Sequence, residues 1–369
     1  MAELPARADV VVVGAGIAGV VTAYYLARSH VNVILVDRYG PAAEASGGNA
    51  GMIGESGGDP ATTMQLQRQS VALYEELARV TGEDFELVMD GRLRLAITED
   101  EVRSFESLVQ RSQHEGVEGH MLLGADIQRH EPALSDRVLG AAWFPRDGKV
   151  HPIKATNAFS RAAAARGAVV AEGVRVIGLL TANGQVTGIM TDLGEVRASE
   201  VILATGAWTP VLAATAGVHV PVFPGKGHML ATEPLPPVTG RVLRAEKLGT
   251  RQLANGEMLV GSEVEHVGYD KSVNERTIEL YLRFMQDLVP ALEGARVVRS
   301  WGCLRPMSID QLPIVGSVPG VGGLHLITGY GRSGMGLAPA SAKALVDTLL
   351  SDRADLDLSP YALGRFADV

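Results

Sequence analysis

The apolar positions of the chain change period from one segment to the next. Val10–Val13 is a run of four β-branched residues stopped by Gly14, which predicts a short strand buried on both faces. Ile17, Val20, Val21 and Tyr24 then recur at i, i+3, i+4 and i+7, one face of a helix. Val31–Val36 predicts a second strand, ending at Asp37. Thr63–Thr81 predicts a helix with Leu66, Leu73 and Leu77 inward. Gly91–Ile97 alternates instead, placing Leu93, Leu95 and Ile97 on one side of a half-buried sheet.

Further along, Ala155–Gly167 is Ala-rich and helical, opened by His151-Pro152. Val169–Leu180, Val186–Thr191 and Val196–Leu203 predict strands, with a turn near Asp192–Gly194. Met258–Glu263 and the stretch around Val222 and Met229–Ala231 predict another sheet. Glu275–Leu288 is an amphipathic helix closed by Pro290, Leu324–Thr328 a short strand, and Ala338–Leu350 a final helix. Strands alternating with helices at both chain ends, around a β-rich middle, predict an α/β plus α+β fold. A length of 369 residues fits two closely joined domains.

Composition narrows the function classes. The chain is 46% hydrophobic and 20% charged, as globular proteins are. A net charge of −9 and no long Lys/Arg run argue against a nucleic acid partner. Cys303 is the single cysteine, so an intramolecular disulfide is excluded and a cytoplasmic location is the expectation, with peripheral membrane association and the oligomeric state left open. Val10–Ala27 holds 18 uncharged residues, yet Gly14, Gly16 and Gly19 mark strand–turn–helix and not a membrane span.

The same glycines form the strongest local motif, Gly14-Ala15-Gly16-Ile17-Ala18-Gly19, between a strand and a helix. Asp37 follows Gly16 by 21 positions, at the end of the second strand, with Arg38 beside it. Gly14 allows a tight turn, Gly16 lets a pyrophosphate approach the backbone, and Gly19 lets helix and strand pack closely. Asp37 can accept from ribose hydroxyls, and the helix N-terminus favours the diphosphate. The motif is common to FAD and NAD sites, so an NAD-dependent dehydrogenase or a nucleotide-binding non-enzyme remains an alternative at this point.

Three further segments sharpen the reading. Ser46-Gly47-Gly48-Asn49-Ala50-Gly51-Met52-Ile53-Gly54 follows the second strand, and Ala204-Thr205-Gly206-Ala207-Trp208 follows the strand at Val201–Leu203. Cys303-Leu304-Arg305-Pro306 and Gly329-Tyr330-Gly331-Arg332-Ser333-Gly334-Met335-Gly336 come near the end. In order and combination these motifs resemble the D-amino acid oxidase superfamily of FAD proteins, which includes glycine oxidase, sarcosine oxidase, D-amino acid dehydrogenase and the flavin subunits of opine and hydroxyproline dehydrogenases.

The resemblance implies a Rossmann-type FAD-binding domain with an inserted antiparallel-sheet substrate domain. The expected division is 1–86, 146–216 and 302–369 for FAD, and 87–145 and 217–301 for substrate. The implied activity is oxidation of the C–N bond of a small amino acid (a D-amino acid, glycine, sarcosine or a proline-like one) to an imine, by hydride transfer to flavin N5. The acceptor would be O2 or another molecule; in the alternative, a flavin subunit passes electrons to a partner or quinone.

The resemblance also implies site residues. Arg305 matches the arginine that holds the substrate carboxylate, a role suited to a planar fork of donors. Ser46, Asn49, Ala50, Gly51 and Met52 lie in the loop that passes the flavin ring. Gly329, Gly331, Arg332, Ser333, Gly334, Met335 and Gly336 match the loop at the pyrimidine edge, where amides opening the last helix would stabilise negative charge. Val174, Thr205, Gly206 and Trp208 complete the expected FAD contacts. Met52 and Tyr330 join Arg305 as expected substrate-side residues.

Two departures from the family stand out. Cys303 has the spacing to Asp310 seen in sarcosine oxidases that link flavin covalently, but Leu304-Arg305-Pro306 looks like glycine oxidase; a buried thiol and non-covalent FAD are expected. The tyrosine that glycine oxidases carry before the Met258–Gly261 strand has no counterpart in Leu248-Gly249-Thr250-Arg251-Gln252. Tyr330 could take its place; Arg251 and Gln252 are read either as reaching substrate or, for Arg251, as a solvated charge. Arg305 could alternatively pair with Asp310, and His228 is read as structural. No residue spacing suggests a metal, a nucleophile elbow or a phosphate-binding P-loop.

Overall fold

The computed structural model describes residues 4–56, 61–245, 248–261, 263–351 and 355–367. Its centre is a six-stranded sheet in the order Ile314–Ser317, Leu324–Thr328, Glu200–Leu203, Val10–Val13, Val33–Asp37, Val169–Glu172. All neighbours run parallel except the edge strand Ile314–Ser317. Val10 and Val12 pack into one hydrophobic core, Val11 and Val13 into another. The first core is roofed by the helices Ile17–Arg28, Pro152–Ala164 and Gly334–Ser351, with Ala61–Thr81 outside them. The second is covered by a three-stranded sheet, Val176–Ala182, Gln185–Thr191 and Gly194–Arg197. Burial on both faces is why this region reads as continuous valine and isoleucine.

An eight-stranded sheet forms the second layer, in the order Val297–Ser308, Val222–Pro234, Glu257–Gly261, Leu248–Gln252, Val242–Ala245, Arg92–Ala96, Gly140–Phe144, His120–Leu123. Every pair is antiparallel except Val242–Ala245 with Arg92–Ala96. Leu93 and Leu95 face a core shared with Ile278, Tyr281, Met285 and Leu288 of the helix Glu275–Leu288, and Ile97 packs against it. The α/β plus α+β architecture of the sequence reading is therefore the one observed.

Three segments differ from their expected form. Val169–Leu180 is two strands in two sheets, broken at Gly173 (φ +75°). Val196–Leu203 is likewise cut at Ala198-Ser199, its halves lying in different sheets. Conversely, Val222 and Met229–Ala231 belong to a single strand, Val222–Pro234, despite Pro224, Gly225 and Gly227. Pro224 stands directly opposite Pro306 on the neighbouring strand, so two residues without an N–H face each other.

The predicted His151-Pro152 helix start is present: His151 Nδ1 accepts from Lys154 N at 3.4 Å, and Pro152 occupies the first turn. His228 is fully buried, accepting from Asn274 N at 3.2 Å and facing Glu265 at 3.4 Å, a structural setting.

Candidate functional site

A cavity of about 600 Å³ opens where the carboxyl ends of the parallel strands meet the eight-stranded sheet. Its first end is made by the glycine motif. Gly14 has φ +103°, and a Cβ there would sit 2.6 Å from the Ala204 carbonyl oxygen. A Cβ on Gly16 would lie 2.9 Å from Ser46 Oγ, and one on Gly19 1.8 Å from the Gly14 oxygen. Gly14 and Gly19 therefore need hydrogen as the side chain for the tight turn and the close helix–strand packing that the motif predicts, while at Gly16 the crowding neighbour is the Ser46 hydroxyl. Ser46 Oγ accepts from the Ile17 amide at 2.9 Å, at the mouth of the helix.

Asp37 lies in the lining and organises this end. Its Oδ2 accepts from Ala15 N at 2.8 Å; its Oδ1 accepts from Tyr39 N and Gly40 N at 2.8 and 2.9 Å. Arg38 stacks 4.1 Å from the Trp208 ring centroid and donates to Glu44 at 2.9 Å; Lys271 pairs with the same Glu44 at 3.0 Å. Val174 is positioned by its amide, which donates to Asp37 O at 2.9 Å. Thr205 and Gly206 turn the chain here, with Thr328 Oγ1 donating to Gly206 O at 3.0 Å.

The middle of the cavity is crossed by the loop after Ser46. Asn49 holds it from both ends: Nδ2 donates to Ala45 and Ser46 carbonyls at 2.9 Å, and Oδ1 accepts from Gly51 N at 2.6 Å. Gly51 has φ +68°, and a Cβ would be 2.0 Å from Val150 O. Met52 follows; its Cε lies 2.7 Å from where a Gly249 Cβ would stand. Behind the loop, Asp147 accepts from the Glu55 and Ser56 amides at 2.7 and 3.0 Å and from the Ser56 hydroxyl. Arg92 Nε lies 3.2 Å from Asp147 Oδ2, both side chains nearly inaccessible.

The far end is basic. Arg305 donates to Glu263 O at 3.1 Å, and its guanidinium lies flat against Gly227, where a Cβ would meet Nη1 at 1.9 Å. Asp310 instead pairs with Arg365 at 2.7 Å, so the alternative Arg305–Asp310 pairing does not form. Arg332 lines the same end and is lowered from the ordinary arginine value, by burial first and Arg305 second. Arg244 lines it too, lowered by burial first and then by the charges of Arg94, Arg92, Arg332 and Arg305. The acids in the lining, Asp37 and Glu44, both sit at the nucleotide end.

Most sequence-predicted residues converge on this cavity. Gly14, Gly16, Ile17, Ala18, Asp37, Arg38, Ser46, Asn49, Ala50, Gly51, Met52, Val174, Thr205, Gly206, Trp208, Arg305, Tyr330, Gly331, Arg332, Gly334 and Met335 all line it. Gly19, Gly329, Ser333 and Gly336 stand behind the lining. The Gly336 amide donates to Ser333 O at 3.0 Å, which leaves Gly334 and Met335 as the residues of that turn facing the cavity.

Other expectations are corrected. Tyr330 is buried, and burial is what pushes its pKa up, with Tyr361 adding to the rise and Ser341 opposing it; its hydroxyl faces these two residues on the core side and not a substrate. Arg251 is 1% exposed, neither solvated nor in the lining. Gln252 serves the backbone, donating to Leu235, Pro236 and Gly256 carbonyls at 3.2, 2.9 and 3.0 Å. Residues the sequence reading missed include Arg244, Leu248, Gly249, Gly261, Met229 and Glu44. The alternation Arg92-Leu93-Arg94-Leu95 carried a signal: leucines inward put arginines on the cavity face.

Cys303 also lines the cavity, its thiol donating to Gly48 O at 3.4 Å, and burial pushes its pKa up. Among the described residues no group of His, Cys, Asp and Glu has metal-site geometry, and no helix is long and apolar enough to cross a membrane.

Comparison with known proteins agrees with this geometry. Residues 9–348 match the family described as FAD dependent oxidoreductase (DAO). The chain is 32% identical to hydrogen cyanide synthase subunit HcnC of Pseudomonas aeruginosa, over 97% of this chain and 96% of that one. It is also 32% identical to glycine oxidase of Pseudomonas putida, over 96% and 98%. The crystal structure of glycine oxidase from Geobacillus kaustophilus superposes with a TM-score of 0.93 at 28% identity, covering 98% and 99% of the two chains.

Proposed function

The chain belongs to the FAD dependent oxidoreductase (DAO) family, and from that premise we propose that it oxidises the C–N bond of a small amino acid held in the cavity described above. The observation that carries the reading is one continuous space with a dinucleotide cradle at one end and Arg305 at the other. A residue-by-residue fit supports FAD as the occupant. Gly14 and Gly19 of the cradle tolerate no Cβ, and Gly51 brings the loop backbone into the cavity wall. Gly14, Gly16, Asp37, Arg38 and Trp208 would hold the adenosine and diphosphate; Asn49–Met52, Gly331, Gly334 and Met335 would border the ring. Cys303, a hydrogen-bonded thiol of raised pKa, favours non-covalent attachment.

When bound, FAD supplies the hydride acceptor. The protein supplies position. Arg305 is backed by Gly227 and tethered to Glu263 O, so its planar guanidinium is held in place at the cavity wall, the group suited to a carboxylate. Fixing the carboxylate fixes the attached Cα–H relative to the ring border, the main requirement for such a transfer. Among the described residues the lining acids lie at the nucleotide end, which supports a reaction that starts from the neutral amine without a side-chain base. The imine product is then hydrolysed by water, or stays cyclic from a proline-like substrate.

The domain division at 1–86, 146–216 and 302–369 against 87–145 and 217–301 is part of this proposal. The six-stranded sheet draws only on the first group, and the eight-stranded sheet on the second, apart from the strand Val297–Ser308 that crosses at Gly302.

The test is direct. Purified protein should show flavin absorption in the visible range, and anaerobic addition of an amino acid should bleach it. Colourless protein, or colour unmoved by every amine tried, would overturn the reading. Hydrogen peroxide formed in step with turnover under air would identify O2 as the acceptor; turnover seen only with an added quinone would assign a partner instead.

A further inference from the structure

The substrate end of the cavity holds more positive charge than one carboxylate requires. Arg305, Arg332 and Arg244 all line it. Arg92 is balanced by Asp147, and Arg94 donates to Ser56 O at 3.0 Å. No described residue gives the Arg244 guanidinium a hydrogen bond or an ion pair; its charged neighbours Arg94, Arg92, Arg332 and Arg305 all repel it. A desolvated cation among cations is costly unless something negative joins it.

Its place on the sheet shows where that charge would come from. Arg94, Arg244, Gly249 and Gly261 are successive cross-strand partners in one row. Arg244, Gly249 and Gly261 line the cavity, and Met52 Cε comes within 2.7 Å of a would-be Cβ on Gly249. The cross-strand residue Gly249 thus has no side chain to lie along Arg244; Met52 occupies the space above that glycine, and Arg244 itself lines the cavity. Arg305 lines the same cavity from Val297–Ser308, the edge strand of that sheet.

We propose that the substrate is a dicarboxylic amine, with one carboxylate on Arg305 and Arg332 and the second, on the side chain or the nitrogen substituent, on Arg244. The inference rests on the proposed amine oxidation and adds the substrate class. Acidic D-amino acids and iminodiacetate-type secondary amines have this shape; glycine, sarcosine, D-alanine and proline lack the second acid.

The experiment uses the FAD-loaded enzyme and its Arg244→Met and Arg244→Lys variants. For each, kcat/KM is measured for D-aspartate, D-glutamate and iminodiacetate against glycine, sarcosine, D-alanine and proline. Wild type should prefer a dicarboxylate. Arg244→Met should reduce the dicarboxylate-to-monocarboxylate ratio by about 10- to 100-fold, the range for losing charge-assisted hydrogen bonds, and Arg244→Lys should restore part of it. Binding is read separately on wild type, by flavin difference spectra on titration with succinate, glutarate, acetate and butyrate; the diacids should bind at least about tenfold more tightly.

Monocarboxylic amines favoured by wild type, a ratio unmoved by Arg244→Met, or equal binding of diacids and monoacids would overturn the proposal while leaving amine oxidation standing. A variant that loses flavin without changing the ratio would overturn it too, by assigning Arg244 to the cofactor. Flavin that no amine reduces would remove the underlying reading itself.

Discussion

Asp147 and Arg92 form a nearly inaccessible ion pair, 3.2 Å from Oδ2 to Nε, that ties the cavity loop to the eight-stranded sheet. Asp147 also accepts the Glu55 and Ser56 amides, and Arg92 donates to Ile53 O at 3.1 Å. Removing one partner strands a buried charge. Asp147→Ala should therefore cost about 3–5 kcal/mol, read as a lowered urea midpoint at unchanged m-value. Replacing both partners with apolar residues should cost less than the sum of the two single changes, the coupling a double-mutant cycle measures.

Arg305→Ala should retain flavin absorption and lose about 100-fold or more in kcat/KM, as removing charge-assisted hydrogen bonds does. Arg305→Lys should recover little, because a point charge does not reproduce the fork. Steady-state kinetics beside a visible spectrum separates loss of substrate grip from loss of cofactor.

Gly14→Ala places a Cβ 2.6 Å from a carbonyl oxygen at φ +103°, and backbone is what would have to move. The variant should purify with a sharply reduced ratio of flavin to protein absorbance, or fail to fold. Normal flavin content would show that the turn is not the cofactor's cradle.

Cys303 sits in the cavity wall with a raised pKa. Acid-precipitated protein should release its yellow colour into the supernatant, and Cys303→Ser should keep its flavin. Colour retained in the pellet by wild type, and lost from the pellet of the variant, would demonstrate a covalent link.

His228 and His151 are both lowered from their ordinary value of 6.5, by burial first. A lowered folded value means that the unfolded chain binds protons more readily. Their stabilising contribution is thus complete above pH 6.5 and is lost as pH falls below it. Melting temperature should decline between about pH 7 and 5, and an asparagine at position 228 should flatten that slope.

How much of this was legible in the sequence follows from which interactions are local. The Gly14–Gly19 turn and the helix after it depend on residues a few positions apart, and these were read correctly. The fate of Val196–Leu203 depends on which sheet each half joins, and an unbroken apolar run carries no mark of that. Val222–Pro234 was hidden by Pro224 and two glycines; only its partner strand shows that Pro224 meets Pro306, where no N–H is needed. Arg244 was missed because Val242–Ala245 is short and its one charge looks like an ordinary surface residue until the parallel strand Arg92–Ala96 is laid beside it.

The strand Val297–Ser308 alternates its faces every residue, and Trp301, Cys303 and Arg305 fall on one of them. Trp301 Nε1 and Cys303 Sγ both donate to Gly48 O, at 3.2 and 3.4 Å, four and two positions before the arginine proposed to hold the carboxylate. The distance between the ring-bordering loop and the acid's anchor is in this way a fixed ruler of backbone repeats. A one-residue insertion after Cys303 would turn Arg305 to the opposite face, so new specificities in this scaffold can arise by exchanging side chains around the ruler but not by stretching it.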